Sequence, residues 1–406
     1  MFSQIANLPS ALKQYGIITG NYWAFTLTDG ALRMLVVLYF HQLGYGALAI
    51  AMLFVFYELF GVITNLIGGW LGAHLGLNKT MNIGLGLQVV ALAMLCAPSD
   101  WLSVSYVMLA QALSGVAKDL NKMSAKSAIK YLVPEGDNQQ SQLYKWIAIL
   151  TGSKNALKGV GFFLGGLLLT LLGFVGALVA LIMLLTIAWI ISLVYLEGDI
   201  GKAKNKPKFK ALLSKSRAIN LLSAARFCLF AARDVWFVVA LPVYLASQFN
   251  WPHWWVSGFM ALWVIAYGVV QSQAPKITGK SLVSNDAIKK AFYWGGVLAC
   301  VTLLLACLMQ FNIAVNTTLI VGLFIFGAAF AINSSLHSYL IVSLAKSDGV
   351  SLDVGFYYMA NAAGRLVGTV LSGFMYKVYG LQACLWVSAS LLLLVCLITQ
   401  RLTKQS

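Results

Sequence analysis

EGDIGKAKNKPKFKALLSKSRA, residues 197–218, carries seven Lys or Arg and divides the chain into two stretches of similar length. Outward from it the sequence turns apolar on both sides. Apolar runs bounded by turn residues fall near 15–40, 47–73, 80–97, 102–130, 143–171 and 174–196 before it, and near 219–246, 255–273, 288–310, 316–344, 353–377 and 381–400 after it. A hydrocarbon core takes about 20 helical residues per crossing, so each run is long enough to span a bilayer. With 60% hydrophobic and only 10% charged residues in 406, too little polar surface remains to keep such a chain in water. The expected fold is an all-α integral membrane protein of 12 transmembrane helices. These form two six-helix bundles, 1–196 and 219–406, joined by the basic 197–218 linker. The N-terminal MFSQIANLPSALKQYG shows no short apolar core followed by a small-residue cleavage site, so the first crossing is expected to be retained.

A net charge of +16 would point to nucleic acid in a soluble protein, but here its placement gives it another meaning. With both termini inside, the cytoplasmic segments hold Lys13, Lys79, Lys130, Lys145, the seven of the linker, Lys276, Lys280, Lys289, Lys290, Lys346, Arg401 and Lys404, and the outside holds Lys377 alone. That bias predicts cytoplasmic termini. External turns are instead aromatic and amide-rich, as in QFNWPHWW at 248–255. Cys96, Cys228, Cys300, Cys307, Cys384 and Cys396 all fall in or at the ends of apolar runs, where a thiol packs as a small hydrophobe. No disulfide, metal site or nucleic-acid partner is expected.

Internal repetition supports two related halves. Asp29 and Tyr39 recur as Asp234 and Tyr244, Gly115 and Asn121 as Gly327 and Asn333, and KGVGFFLGG at 158–166 as RLVGTVLSG at 365–373. Parallel six-helix repeats place a substrate site at the midplane between the halves.

Nine cations remain within hydrocarbon depth: Arg33, Lys118, Lys122, Lys126, Lys154, Lys158, Arg226, Arg233 and Arg365. Asp29, Glu58, Asp119 and Asp234 accompany them, leaving a surplus of five positive charges. Each charge at the bilayer centre costs about 2.5–3.5 kcal/mol on insertion scales, and a polyanionic ligand would account for the surplus. Lys118, Lys122 and Lys126 recur every fourth residue and form one stripe on the fourth helix; Lys154 and Lys158 do the same on the fifth. Lys126 and Lys154 lie close enough to the cytoplasmic ends to snorkel out instead. Arg226, Arg233 and Arg365 offer guanidinium forks suited to phosphate-like oxygens. Asn121, Asn155, Asn333, Asn361 and His337 complete the candidate substrate-binding set, His337 lying in a polar stretch with Ser334, Ser335 and Ser338.

The carboxylates are the candidates for ion pairing or proton coupling. Asp29 and Arg33 at i, i+4 read either as a structural pair or as a coupling site. Asp119 has Lys122 one turn on and reads as charge compensation, whereas Asp234 adjoins Arg233, which should not face it, and so takes its partner from elsewhere. Glu58 has no cation nearby in sequence and reads as a proton carrier or as a hydrogen-bonded neutral acid. No HExxH, GxSxG or nucleotide-binding loop appears, so neither catalysis nor a cofactor is expected.

The six-plus-six pattern, the linker and the glycine-rich GGWLGAHLGLNKT at 68–80 resemble the major facilitator superfamily, with Ala73 where that family's turn usually has Asp and His74 where it has a base. NYWAFTLTDGALRMLVVLYFHQLG at 21–44, KDLNKMSAKSAIKYLVPEGDNQQSQLYKW at 118–146 and GSKNALKGVGFFLGG at 152–166 are similar to the ArsJ organoarsenical efflux permeases. That resemblance implies export of 1-arseno-3-phosphoglycerate, made by glyceraldehyde-3-phosphate dehydrogenase when arsenate replaces phosphate. A phosphate monoester carries about −1.5 to −2 charge, so a solute with phosphate and arsenate groups fits a basic site. The charge pattern alone equally allows a sugar-phosphate or phosphoglycerate exchanger. A phospholipid head-group enzyme would need a nucleophile or metal cluster that the sequence does not offer, and a flippase would need a lateral opening that sequence does not reveal.

Overall fold

The computed structural model describes residues 10–44, 53–133, 138–196, 200–202, 216–251, 253–279, 284–347 and 350–403. Most of the 197–218 linker, Lys280, Lys404, Pro252 and residues 1–9 lie outside these. Among the described residues the regular structure is all helical. Its helices are α1 (Ser10–Gln42), α2 (Val55–Leu75), α3 (Leu77–Leu95), α4 (Val104–Leu132), then Gln139–Tyr195, which breaks at Gly173 into α5 (139–172) and α6 (174–195). They continue as α7 (Arg217–Phe237, resumed by Ala240–Gln248), α8 (His253–Thr278), α9 (Ser284–Gln310) and α10 (Val315–Leu344). Val350–Thr403 then breaks at Gly380 into α11 (350–379) and α12 (381–403). These twelve follow the apolar runs, with one difference. The seventh run reads as continuous, but the helix loses its regular turn at 238–239.

Local chemistry sets the boundaries. Ser103 and Ser216 cap α4 and α7 by accepting from the backbone N–H groups of Tyr106 and Ile219. With no Gly or Pro between Ala117 and Pro134, α4 runs unbroken through its lysines to Leu132. Gly173 (φ 68°) and Gly380 (φ 78°) turn the chain in the left-handed region, where a Cβ would be strained. They stand 207 residues apart, the same offset that relates Lys158 to Arg365. Two further contacts repeat. Gly84 of α3 receives the Asn121 side chain as Gly295 of α9 receives Asn333, and Gly115 lies against Tyr57 as Gly327 lies against Trp263.

The chain groups into two compact units. The first comprises Met1–Gln139, Leu157–Ser214 and Ala345–Met359; the second comprises Gln140–Ala156, Lys215–Leu344 and Ala360–Ser406. In the first, α1 crosses α5 where a Cβ on Gly30 would stand 2.9 Å from the Lys158 carbonyl oxygen, and α2 meets α11, with Ser351 Oγ donating to the Gly69 carbonyl at 2.7 Å. In the second, α5 meets α8, where a Cβ on Gly152 would lie 2.5 Å from the Gly268 oxygen, and the aromatic core gathers Trp236, Trp263, Phe326 and Phe330. Outward-facing residues are apolar, Phe163, Leu171, Val194, Leu304, Val370 and Leu397 among them. Such a surface is suited to lipid rather than water. Among the described residues five helices pass a strict test of length and apolarity for crossing a membrane, and two of these are the double helices broken at Gly173 and Gly380. α4, which is not one of the five, holds four Lys and an Asp.

Candidate functional site

In the first unit the α4 stripe closes around one carboxylate and one phenol. Asp119 is buried, with Lys122 Nζ at 2.5 Å from Oδ1 and Lys118 Nζ at 3.7 Å from Oδ2. A Cβ on Gly61 of α2 would stand 2.8 Å from that Oδ2, so only glycine leaves room for it. Lys126 is 3% exposed, and its ammonium donates to the Tyr358 hydroxyl at 2.5 Å, so it does not snorkel to the interface. Lys122 and Lys126 each lie 4.8 Å from the centroid of the Tyr358 ring, and Lys118 lies 3.7 Å from that of Tyr57. Ring faces are the electronegative surfaces that hold ammonium groups away from water. The Tyr22 hydroxyl is buried and has no hydrogen-bond partner among the described residues.

Beside this cluster the pairing expected from sequence is rearranged. Asp29 does not hold Arg33; it accepts two contacts from the Tyr57 hydroxyl, at 2.7 and 2.9 Å. Arg33 reaches across to Glu58, 3.2 Å from Oε1, and stacks over Phe54 and Tyr57. The reading of Glu58 as a carboxylate without a local cation is therefore corrected: its partner is one helix away, invisible to i, i+4 reasoning.

The second unit holds the arginines in two separate arrangements. Arg233 and Arg365 clamp Asp234, Arg233 Nη2 at 2.5 Å from Oδ1 and Arg365 Nε at 3.3 Å from Oδ2. The expectation that Arg233 would not face its neighbour is wrong, because a long guanidinium arm folds back onto the adjacent carboxylate. Arg226, 3% exposed, instead meets neutral groups. Its Nε donates to Asn361 Oδ1 at 2.9 Å, its Nη1 donates to the Ser334 carbonyl and hydroxyl oxygens at 3.2 and 3.0 Å, and its guanidinium carbon lies 4.1 Å from the Phe230 ring centroid. Tyr267 and Gln271 of α8 also donate to Ser334 Oγ, at 3.2 and 3.4 Å, and the Gln271 carbonyl accepts from Asn155 at 2.7 Å.

The candidate residues therefore separate. Lys118 and Lys122 come together on Asp119, and Lys122 and Lys126 on Tyr358; Lys158 belongs to the same unit, 5.7 Å from the Phe162 ring centroid, while the partly buried Lys154 belongs to the other. Asn155, Arg226 and Asn361 join one hydrogen-bonded chain. Asn121 and Asn333 instead sit at helix contacts, Asn121 donating to the Ala117 carbonyl and Asn333 to that of Ala291. His337 is fully buried and neither ring nitrogen has a hydrogen-bond partner among the described residues. Sequence reasoning missed Tyr57, Tyr267, Gln271 and Tyr358. Tyr358 had a usable signal, since Tyr358, Asn361 and Arg365 recur at helical spacing on one face of α11.

Twelve helices in two repeats, an apolar exterior and charged side chains buried in the crossings define a multi-pass membrane transporter. The sequence profile described as Major Facilitator Superfamily matches residues 18–289 and 285–405, and the chain belongs to that superfamily. It is a secondary transporter, a class whose members are not enzymes. Similar solved structures include a bacterial homologue of the iron transporter ferroportin in an outward-facing state, with TM-score 0.74, 14% identity and coverage of 96% of this chain and 99% of that one. The human organic anion transporter MFSD10 (TETRAN) has TM-score 0.74 and 15% identity, over 97% of this chain and all of the other. FucP, a transporter of the same superfamily in the outward conformation, has TM-score 0.74 and 10% identity, over 97% and 99%. At these identities the likeness is one of fold. No curated protein matches the chain in sequence.

Proposed function

We propose that this chain exports a small organic polyanion across the bacterial inner membrane by alternating access, with 1-arseno-3-phosphoglycerate, and hence arsenate resistance, as the substrate that the resemblance to the ArsJ permeases implies. The observation that carries the anion reading is the cluster on α4: Lys118 and Lys122 share one carboxylate, Asp119, and Lys126 stands on the ring and hydroxyl of Tyr358, within a membrane-crossing helix. Two ammonium groups on one acid leave a surplus that an anion entering from water would balance. An arsenate and a phosphate group on one small molecule bring about −3 to −4 charge. Glyceraldehyde-3-phosphate dehydrogenase would then be the functional partner that supplies the solute. The topology that goes with this reading is two halves, 1–196 and 219–406, with the 197–218 linker and both termini in the cytoplasm.

Uptake of enzymatically made 1-arseno-3-phosphoglycerate into everted vesicles, with and without a pH gradient, tests the proposal. Accumulation that needs the wild-type chain and is lost in Lys122→Ala supports it; equal uptake by empty vesicles refutes it. The same charge pattern suits an organophosphate:phosphate exchanger. Uptake that requires phosphate inside proteoliposomes, and is indifferent to the pH gradient, would favour that second reading.

A further inference from the structure

Ser334, fully buried on α10, is over-supplied with donors. Arg226 Nη1 lies 3.0 Å from its Oγ, the Tyr267 hydroxyl 3.2 Å and the Gln271 amide nitrogen 3.4 Å. A hydroxyl oxygen has two lone pairs to offer, so three donors converge on an acceptor able to satisfy two. The donors are not there by loose packing. Gln271 is oriented by Asn155, whose amide nitrogen donates to the Gln271 carbonyl oxygen, which turns the nitrogen end toward Ser334. Arg226 is fixed by Asn361 through Nε and by the face of Phe230. One turn along the same helix His337 is 0% exposed, and neither of its ring nitrogens has a hydrogen-bond partner among the described residues. A second unsatisfied polar group thus stands beside the first.

We infer that this donor focus is an oxyanion receptor, in which the Ser334 hydroxyl stands in for an oxygen of the transported anion. An ionised oxygen accepts charge-assisted bonds that are shorter and stronger than those to a neutral hydroxyl. When it enters, the Arg226, Tyr267 and Gln271 donors transfer to it and the Ser334 O–H is freed to donate as well. Arg233 and Arg365 both donate to Asp234, which offsets one of their two charges. The inference rests on the anion-transport reading and sharpens it. The α4 lysines supply charge, while Arg226, Tyr267, Gln271 and Ser334 form a separate receptor for a single oxyanion group.

The test measures the thermal shift and the affinity of the purified full-length protein with inorganic phosphate and with 3-phosphonopropionate, for wild type, Ser334→Ala, Gln271→Glu and Lys122→Ala. Ser334→Ala removes the stand-in oxygen, so its melting temperature should fall without ligand and its phosphate-induced shift should exceed that of wild type. Gln271→Glu replaces a donor by a negative charge, and should weaken phosphate binding at least tenfold. A Ser334→Ala shift no larger than wild type, together with unchanged affinity in Gln271→Glu, overturns the receptor; if Lys122→Ala still loses binding, the anion reading survives without it. Unchanged affinity in both Gln271→Glu and Lys122→Ala overturns the two together. Should Ser334→Ala fail to fold, the Gln271→Glu affinity decides alone.

Discussion

Replacing Asp119 by Asn keeps the shape of the side chain and removes the one charge that Lys122 and Lys118 contact at 2.5 and 3.7 Å. The Asp119 side chain is 2% exposed and that of Lys122 is 12% exposed, so water recovers little of the loss. Breaking a buried ion pair by deleting one partner costs about 3–5 kcal/mol, and the unliganded variant should be destabilised by about 3 kcal/mol. Anion binding should move the other way. A carboxylate ~8 Å from an incoming anion repels it by about 2 kcal/mol at an effective dielectric of 20, so its removal should tighten binding at least tenfold. Thermal melts and titrations of purified protein with 3-phosphonopropionate measure both. The double variant Asp119→Asn/Lys122→Met should regain part of the stability, since only the Lys118 ammonium is then left without its carboxylate, yet bind anion weakly. An Asp119→Asn protein that melts like wild type, or that is destabilised and also binds anion more weakly, would refute the placement of the anion beside these lysines.

Three other outcomes follow from the geometry. Asp234→Asn frees two guanidinium groups from a fully buried carboxylate and should cost about 3 kcal/mol. Glu58→Gln loosens a pair whose side chains are 27% and 26% exposed, and should cost about 1 kcal/mol; a chemical melt that ranks the two in reverse would contradict the pairing. Tyr358→Phe removes the hydroxyl that accepts from Lys126 and keeps the ring beneath both lysines. It should slow anion transport several-fold without changing expression, and a transport rate equal to wild type would show that the hydroxyl is dispensable. A cysteine placed at residue 205 in a cysteine-free background should be labelled by an impermeant maleimide in everted vesicles and not in intact spheroplasts. The opposite pattern would invert the topology read from the positive charges.

The sequence by itself determined the class and the count. Apolar runs of bilayer length, punctuated by turns, leave the backbone no choice but helix, because in lipid every N–H and C=O must be satisfied within its own segment. The breaks between runs at 171–174 and 377–381 already mark where the long helices turn, and the every-fourth-residue lysines already form a stripe on α4. Helical periodicity, however, reports only neighbours on the same helix. Arg33 at i+4 from Asp29 looked like its partner, but the reach of a guanidinium arm and the approach of α2 gave it to Glu58, while Tyr57 took Asp29. Tyr358 is 232 residues from Lys126, and Gln271 is 116 from Asn155. No local rule joins residues so far apart in the chain. Helix packing decided that Asn121 and Asn333 sit against glycines of α3 and α9, and that Ser334, one residue further on, faces the donors of α7 and α8. A rotation of 100° per residue on one helix face separates a packing amide from a binding hydroxyl, and only the neighbouring helices determine which is which.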